Sequence, residues 1–114
     1  MIYKSIIEML SSLPTLPKSQ WFYEEKYEVY LRSTFTCIDD KLVPVITISN
    51  ICVKEEFRNE GVFKTFLKFI EDNIDKNYFG ITFENVHNPI LSEFIKKLGY
   101  QPFKYINCYY KPTK

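Results

Sequence analysis

The segment Val53-Lys54-Glu55-Glu56-Phe57-Arg58-Asn59-Glu60-Gly61-Val62-Phe63 leaves a run that reads as a strand and enters a run that reads as a helix. Between the two lies a short polar turn closed by Gly61, one of three glycines in the chain. A turn of this kind points several backbone N–H groups into one concavity, and the following helix adds the positive end of its dipole. The product is a site for an anion, most often phosphate. An ordinary strand-to-helix connection, with glycine easing a tight turn, fits the same residues, so the flanking sequence has to decide.

Upstream, residues 42–53 form a long run rich in Val and Ile, with Pro44 near its start, where a missing N–H is tolerated. Both faces of 45–53 carry apolar residues, which predicts a central strand. Ser49 and Asn50 interrupt it, as a bulge, as backbone turned toward a ligand, or as side chains bonded locally. Asp39-Asp40-Lys41 is a hairpin turn. From Tyr27 onward Val29, Leu31, Phe35 and Cys37 alternate with Glu28, Tyr30, Arg32, Thr34 and Thr36, the pattern of a half-buried strand. Trp21-Phe22-Tyr23 suits either the start of a strand or an aromatic plug over the core. Residues 2–13 read as an amphipathic helix, with Ile2, Ile6, Met9, Leu10 and Leu13 on one side and Pro14 ending it.

Downstream, residues 61–73 make the best helix in the chain, with an apolar stripe of Val62, Phe63, Phe66, Leu67, Ile70 and Ile74. Residues 77–86 hold a strand. A strand, a helix and a strand predict a right-handed crossover between parallel neighbours. Asn88-Pro89 opens another helix by capping, Gly99 stops it, and residues 105–110 form a last strand. The expected order is helix, strand, strand, helix, strand, helix, strand.

Composition narrows the function. At 114 residues the chain is one domain, 1–114, with 46% hydrophobic and 18% aromatic content. Ten Phe and nine Tyr exceed what one small core holds, which points to a groove or a protein interface, a homodimer among the options. A net charge of +1 argues against nucleic acid as the main partner. Cys37, Cys52 and Cys108 are odd in number, lack metal-like spacing and sit in apolar runs; they read as buried thiols of a reducing compartment. No signal peptide is evident and no run is apolar enough to span a membrane, so the expectation is a soluble, cytoplasmic protein that uses no metal.

Two segments then fit one family. Val53-x4-Arg58-x2-Gly61-x-Phe63 followed by Lys64-Thr65-Phe66-Leu67 resembles the coenzyme A signature of the GCN5-related N-acetyltransferases (the GNAT superfamily). Asn88-Pro89-Ile90-Leu91 through Lys97-Leu98-Gly99-Tyr100 resembles that family's later block. The resemblance covers about residues 42–110. It implies an α/β fold with a mixed, mostly antiparallel sheet flanked by helices, in which two central parallel strands splay apart around acetyl-CoA. It implies that the backbone of Arg58, Asn59, Glu60, Gly61, Val62, Phe63 and Lys64 holds the pyrophosphate. Ile51, Cys52 and Val53 would flank the pantetheine arm from one side and Asn88 from the other.

Three departures stand out: Phe63 where the family has Gly or Ala, Ile95 where it often has a Tyr general acid, and a short region ahead of the hairpin. The implied activity is acetyl transfer from acetyl-CoA to an amine of a protein or small molecule by direct attack on the thioester. Backbone N–H groups near Cys52 would meet the oxyanion. His87, the sole histidine, and Glu84, at the end of the second splayed strand, are candidate bases; the alternative for His87 is an exposed loop residue. Tyr109 and Tyr110 are candidate acids or packing residues. The alternative function is a catalytically weak or inactive scaffold that binds coenzyme A or a protein.

Overall fold

A computed structural model describes residues 2–11, 18–58, 60–103 and 105–113, with the backbone alone for 2–4, 105 and 106. The elements are α1 (Ile2–Ser11), β1 (Lys18–Tyr23), β2 (Tyr27–Ile38), β3 (Lys41–Val53), a 3-10 turn (Glu55–Phe57), α2 (Val62–Asn73), β4 (Gly80–Phe83), α3 (Pro89–Lys97), β5 (Gln101–Phe103) and β6 (Tyr105–Pro112). The sheet order is β1-β2-β3-β4-β6-β5, antiparallel except for β3 against β4.

The period-2 pattern sets which face is covered. Tyr27, Val29, Leu31 and Ser33 on β2, Ile46 and Ile48 on β3, Ile81 and Phe83 on β4, and Tyr109 on β6 are all buried. Cross-strand partners such as Leu31 and Ile48, or Ile48 and Phe83, share that face. They join Ile6, Met9 and Leu10 of α1, Phe66, Leu67 and Ile70 of α2, and Ile95 of α3 in one cluster. Each large apolar side chain removed from water there contributes about 1.5–3 kcal/mol. Val45, Ile46, Thr47 and Ile48 are buried in succession, as the central position of β3 requires. Buried hydroxyls are paired: Thr47 with Thr82 at 2.7 Å, and Ser33 with Tyr78 at 2.6 Å.

Several expectations need correction. Of the two readings of the Trp21 segment the strand is the right one and the plug is not: the segment lies in β1, which begins at Lys18 and pairs with β2 as a separate outer strand. Phe35 and Cys37 do not continue the buried face, because β2 outruns the helices that cover it, and both are exposed. Cys52 is exposed as well and Cys108 only partly covered, so the buried-thiol reading fails; apolar neighbours in sequence do not ensure burial at strand ends. Residues 101–103, read in the sequence as neither helix nor strand, form a short strand of their own. The helix read over 2–13 ends at Ser11, and Leu13 and Pro14 lie outside the described residues.

Candidate active site

The site begins where β3 and β4 part. They pair in parallel from Val45 with Gly80 to Ile48 with Phe83, and there β4 ends. The Glu84 N–H still reaches the Ile48 carbonyl at 3.4 Å, while β3 runs on to Val53 beside β2 alone. Ser49 causes the parting. Tyr30 lies opposite Asn50 and Leu31 opposite Ile48, so Ser49 is an extra, unpaired residue: a β-bulge. Of the three readings of Ser49-Asn50, the bulge is correct. It also shifts the phase, so that Ile46 and Ile48 face the core before it and Ile51 and Val53 after it.

Backbone phase decides what β3 offers to the gap. The Lys54 N–H donates to the Lys26 carbonyl at 2.9 Å, continuing the register of Glu28 with Cys52. In an antiparallel ladder bonded pairs alternate, so Cys52 and Asn50 bond to β2 while Ile51 and Val53 turn their N–H and C=O groups away from it, into the gap. Cys52 thus gives its amide to the sheet; the N–H groups available at the gap are those of its two neighbours.

The gap opens into a groove of about 590 Å³ lined by Ile51, Val53, Phe57, Arg58, Gly61, Val62, Phe63, Lys64, Asn88, Ile90, Leu91 and Phe94. One end is polar. Gly61 sits at φ 75° ahead of α2, no described side chain caps that helix, and its first turn holds no acidic residue. Its first N–H groups are left for a ligand. A Cβ built on Gly61 would meet nothing within 4 Å, so the space there belongs to the groove. The Arg58 Nε donates to the Val53 carbonyl at 2.9 Å, which uses one of five donors and holds the guanidinium at the end of β3. Lys64 and Glu60 are exposed, and Asn59 lies outside the described residues. The other end is apolar. Phe63 is half-buried, with its ring 6.1 Å from Phe83 and 5.7 Å from Phe94, so the large side chain at a position where the family has Gly or Ala packs inward. Across the groove, Asn88 caps α3, its Oδ1 accepting from Ile90 N at 2.8 Å and Leu91 N at 3.3 Å.

Glu84 stands at the splay. Its Oε1 accepts from Arg32 Nη1 at 3.0 Å and from Ser49 Oγ at 2.8 Å. It borders two cavities of about 180 and 200 Å³. The smaller carries Arg32, Thr34, Thr36, Thr47 and Thr82 from the sheet face opposite the core, and the other carries Asn50, Ile51 and Leu91. His87 is exposed and lines none of the three cavities. Its Nδ1 faces Asn107 Nδ2 at 3.1 Å; the amide donating there places the neutral ring's proton on Nε2. Ile95 is fully buried in the core. Tyr109 is buried beneath Lys96, and Tyr110 packs against Phe79 and Phe103. The sequence reading marked Ser49 as an interruption of β3 but missed its hydrogen bond to Glu84, and it missed Arg32 as the partner of that carboxylate. Ile90 lines the groove and is 82% exposed. Among the described residues no group of three His, Cys, Asp or Glu could hold a metal ion.

The fold recurs in solved structures. The AtaT toxin bound to acetyl-CoA and the C-terminus of the antitoxin AtaR superposes with a TM-score of 0.65 at 18% identity, over 77% of this chain and 59% of that one. AtaT complexed with acetyl-methionyl-tRNAfMet gives 0.66 at 17% identity, over 77% and 62%. The KacTA–DNA complex gives 0.67 at 12% identity, over 87% and 69%. The chain has the GNAT fold. No family model and no curated protein sequence matches it. This GNAT domain spans about three fifths of the length of the AtaT chains. The splayed pair expected for a GNAT domain is β3 and β4, as the sequence placed it. No helix among the described residues is long and apolar enough to cross a membrane.

Proposed function

We propose that the protein is an acetyl-CoA-dependent N-acetyltransferase, with the acyl donor in the groove beside β3 and the acceptor amine approaching Glu84. One observation carries this reading: the outward-turned backbone of Ile51 and Val53 leads directly into the uncapped N-terminus of α2, along a single groove. Residues of that kind fit a long ligand with an amide-bearing arm and an anionic end. Ile51 and Val53 would pair with the arm, Asn88 would bond it from the other side, and Arg58, Lys64 and the first N–H groups of α2 would hold the pyrophosphate. Bound there, acetyl-CoA supplies an activated acetyl thioester.

The chain's own residues do the rest. They hold the amine against the acyl carbon, which supplies much of the rate. Glu84 takes the proton from the amine, directly or through one water, and Arg32 and Ser49 keep its carboxylate in place. Glu84 serves this role better than His87 because it stands at the parting of the strands, whereas His87 lines no cavity. Ile95 cannot donate a proton, and Tyr109, one of the candidate acids, is buried. A thiol with a pKa of about 8.5 leaves as a thiolate near neutral pH without an acid.

AtaT is described with acetylated methionyl-tRNA and KacTA with DNA. The low net charge read earlier against nucleic acid therefore excludes no acceptor, and an amine carried on RNA joins those of proteins and small molecules. A second reading, a scaffold that binds coenzyme A without turnover, draws on the buried Ile95. Calorimetric titration with acetyl-CoA and with a pantetheine fragment, followed by an amine screen for thiol release, separates the two. Nucleotide-dependent binding with turnover supports the enzyme, binding without turnover supports the scaffold, and no binding at about 1 mM ligand, the weak limit of specific affinity, removes both.

A further inference from the structure

The two edges of the sheet differ in their protection. β5 is three residues long, contains Pro102 and pairs through an irregular register, all of which discourage a further strand. β1 spans Lys18–Tyr23 without proline and pairs with β2 in unbroken register. Its bonding phase is set by the Glu24 N–H, which donates to the Tyr27 carbonyl at 2.8 Å and continues that register. Lys18, Gln20, Phe22 and Glu24 therefore bond to β2, while Ser19, Trp21 and Tyr23 turn their N–H and C=O groups outward. The aromatic side chains here are open too. Trp21 is 39% and Tyr23 66% exposed, and the indole lies 5.1 Å from Tyr30 and 6.1 Å from Tyr23.

We propose that β1 joins two copies of this chain, antiparallel across a two-fold axis at Trp21, into one continuous sheet. Outward bonding groups lie only on odd-numbered residues, so a symmetric pairing must set odd against odd. With the axis at Trp21, Ser19 of one copy bonds opposite Tyr23 of the other, and Trp21 lies opposite itself. The same register sets Lys18 against Glu24 of the second copy, once on each side of the axis, with both side chains on the same face. Moving the axis one residue toward Phe22 sets Lys18 against Lys26. Moving it toward Gln20 leaves Glu24 opposite Leu16. Only the axis at Trp21 pairs opposite charges, and it stacks the exposed aromatic residues of both copies on the other face.

The test is sedimentation of the full chain over a range of concentrations. The expected result is a reversible dimer. Lys18→Glu sets two like-charge contacts where two ion pairs stood and weakens it about tenfold or more. Glu24→Lys does the same, and the double exchange of Lys18→Glu with Glu24→Lys restores it. Trp21→Pro removes an outward N–H at no cost to the bonds with β2, and abolishes the dimer while circular dichroism and the melting temperature hold. If that variant fails to fold, the charge exchange decides alone. A protein that stays monomeric up to about 1 mM overturns the proposal, as does a dimer indifferent to both single reversals or one that the double exchange does not restore.

Discussion

At the scale of single residues, Gly61 and Glu84 are where the proposed binding and the proposed chemistry can be tested apart. Space beside Gly61 is open, so Gly61→Val introduces no clash with the protein itself. Its cost to folding is the strain of a branched side chain at φ 75°, about 1–2 kcal/mol. The new side chain projects into the groove, and acetyl-CoA affinity is expected to fall at least tenfold in calorimetry while the fold remains. Arg58→Ala removes a cation with charge-assisted donors, each such bond being worth about 1.5–3 kcal/mol, and is expected to weaken acetyl-CoA more than the fragment lacking the nucleotide. Glu84→Gln keeps an acceptor oxygen for Arg32 and Ser49 but cannot take a proton. Turnover should drop about 10²-fold or more with acetyl-CoA affinity unchanged. If affinity falls and turnover per bound donor does not, Glu84 is a structural residue.

Elements place those residues, and β4 is the one on which placement depends. It is four residues long, fully buried, and wedged between β3 and β6. Gly80 opens it because β6 passes too close for a Cβ, which would collide with the Lys111 carbonyl and press on Pro112. Gly80→Ala is expected to cost about 1–3 kcal/mol and lower the melting temperature by several degrees. After α3, Tyr100 ties the chain back to α2, its hydroxyl donating to Glu71 at 2.8 Å. Burial, then the adjacent Glu71 carboxylate, push its pKa above the usual tyrosine value of 10.0; burial does the same to Tyr78. Both phenols keep their protons in the folded state where the unfolded chain loses them. The stability they contribute is complete below pH about 10 and is lost as pH rises beyond it, for Tyr100 by about 1.4 kcal/mol per pH unit. Tyr100→Phe should flatten that alkaline slope in urea melts at pH 9 to 11 and leave only the part due to Tyr78.

Over the whole molecule, one face of the sheet meets all three helices in a single cluster; the groove shares Ile51 and Leu91 with a second cavity, which shares Phe83 and Glu84 with the third, on the opposite face. A ligand that bridges β3, α2 and α3 ties together elements that otherwise meet through few side chains. Acetyl-CoA at a hundred times its dissociation constant should therefore raise unfolding stability by about 2.7 kcal/mol, read as a shift in the thermal midpoint. A midpoint indifferent to acetyl-CoA would mean that the groove holds something else.

Local pattern alone was enough to specify the hairpin β2–β3, the crossover through α2, the capped start of α3, and the two segments at Arg58–Gly61 and Asn88 that face each other across the groove. Periodicity and capping act between near neighbours, so one chain suffices to reveal them. Three-dimensional packing decided the rest. Whether Trp21 lies in a strand depends on its partner Tyr30, nine residues on in β2, and on the turn between them. Cys37 is open although it alternates in phase with the covered Leu31, and Cys52 falls on the face away from the helices once the bulge has turned Ile51 and Val53 to the core. The placement of Glu84 depends on Arg32, distant in sequence, and on Ser49, whose bulge shifts the phase of β3 and turns the backbone of Ile51 and Val53 toward the groove. Such contacts are set by which elements lie side by side, and that is a property of the closed sheet rather than of any segment within it.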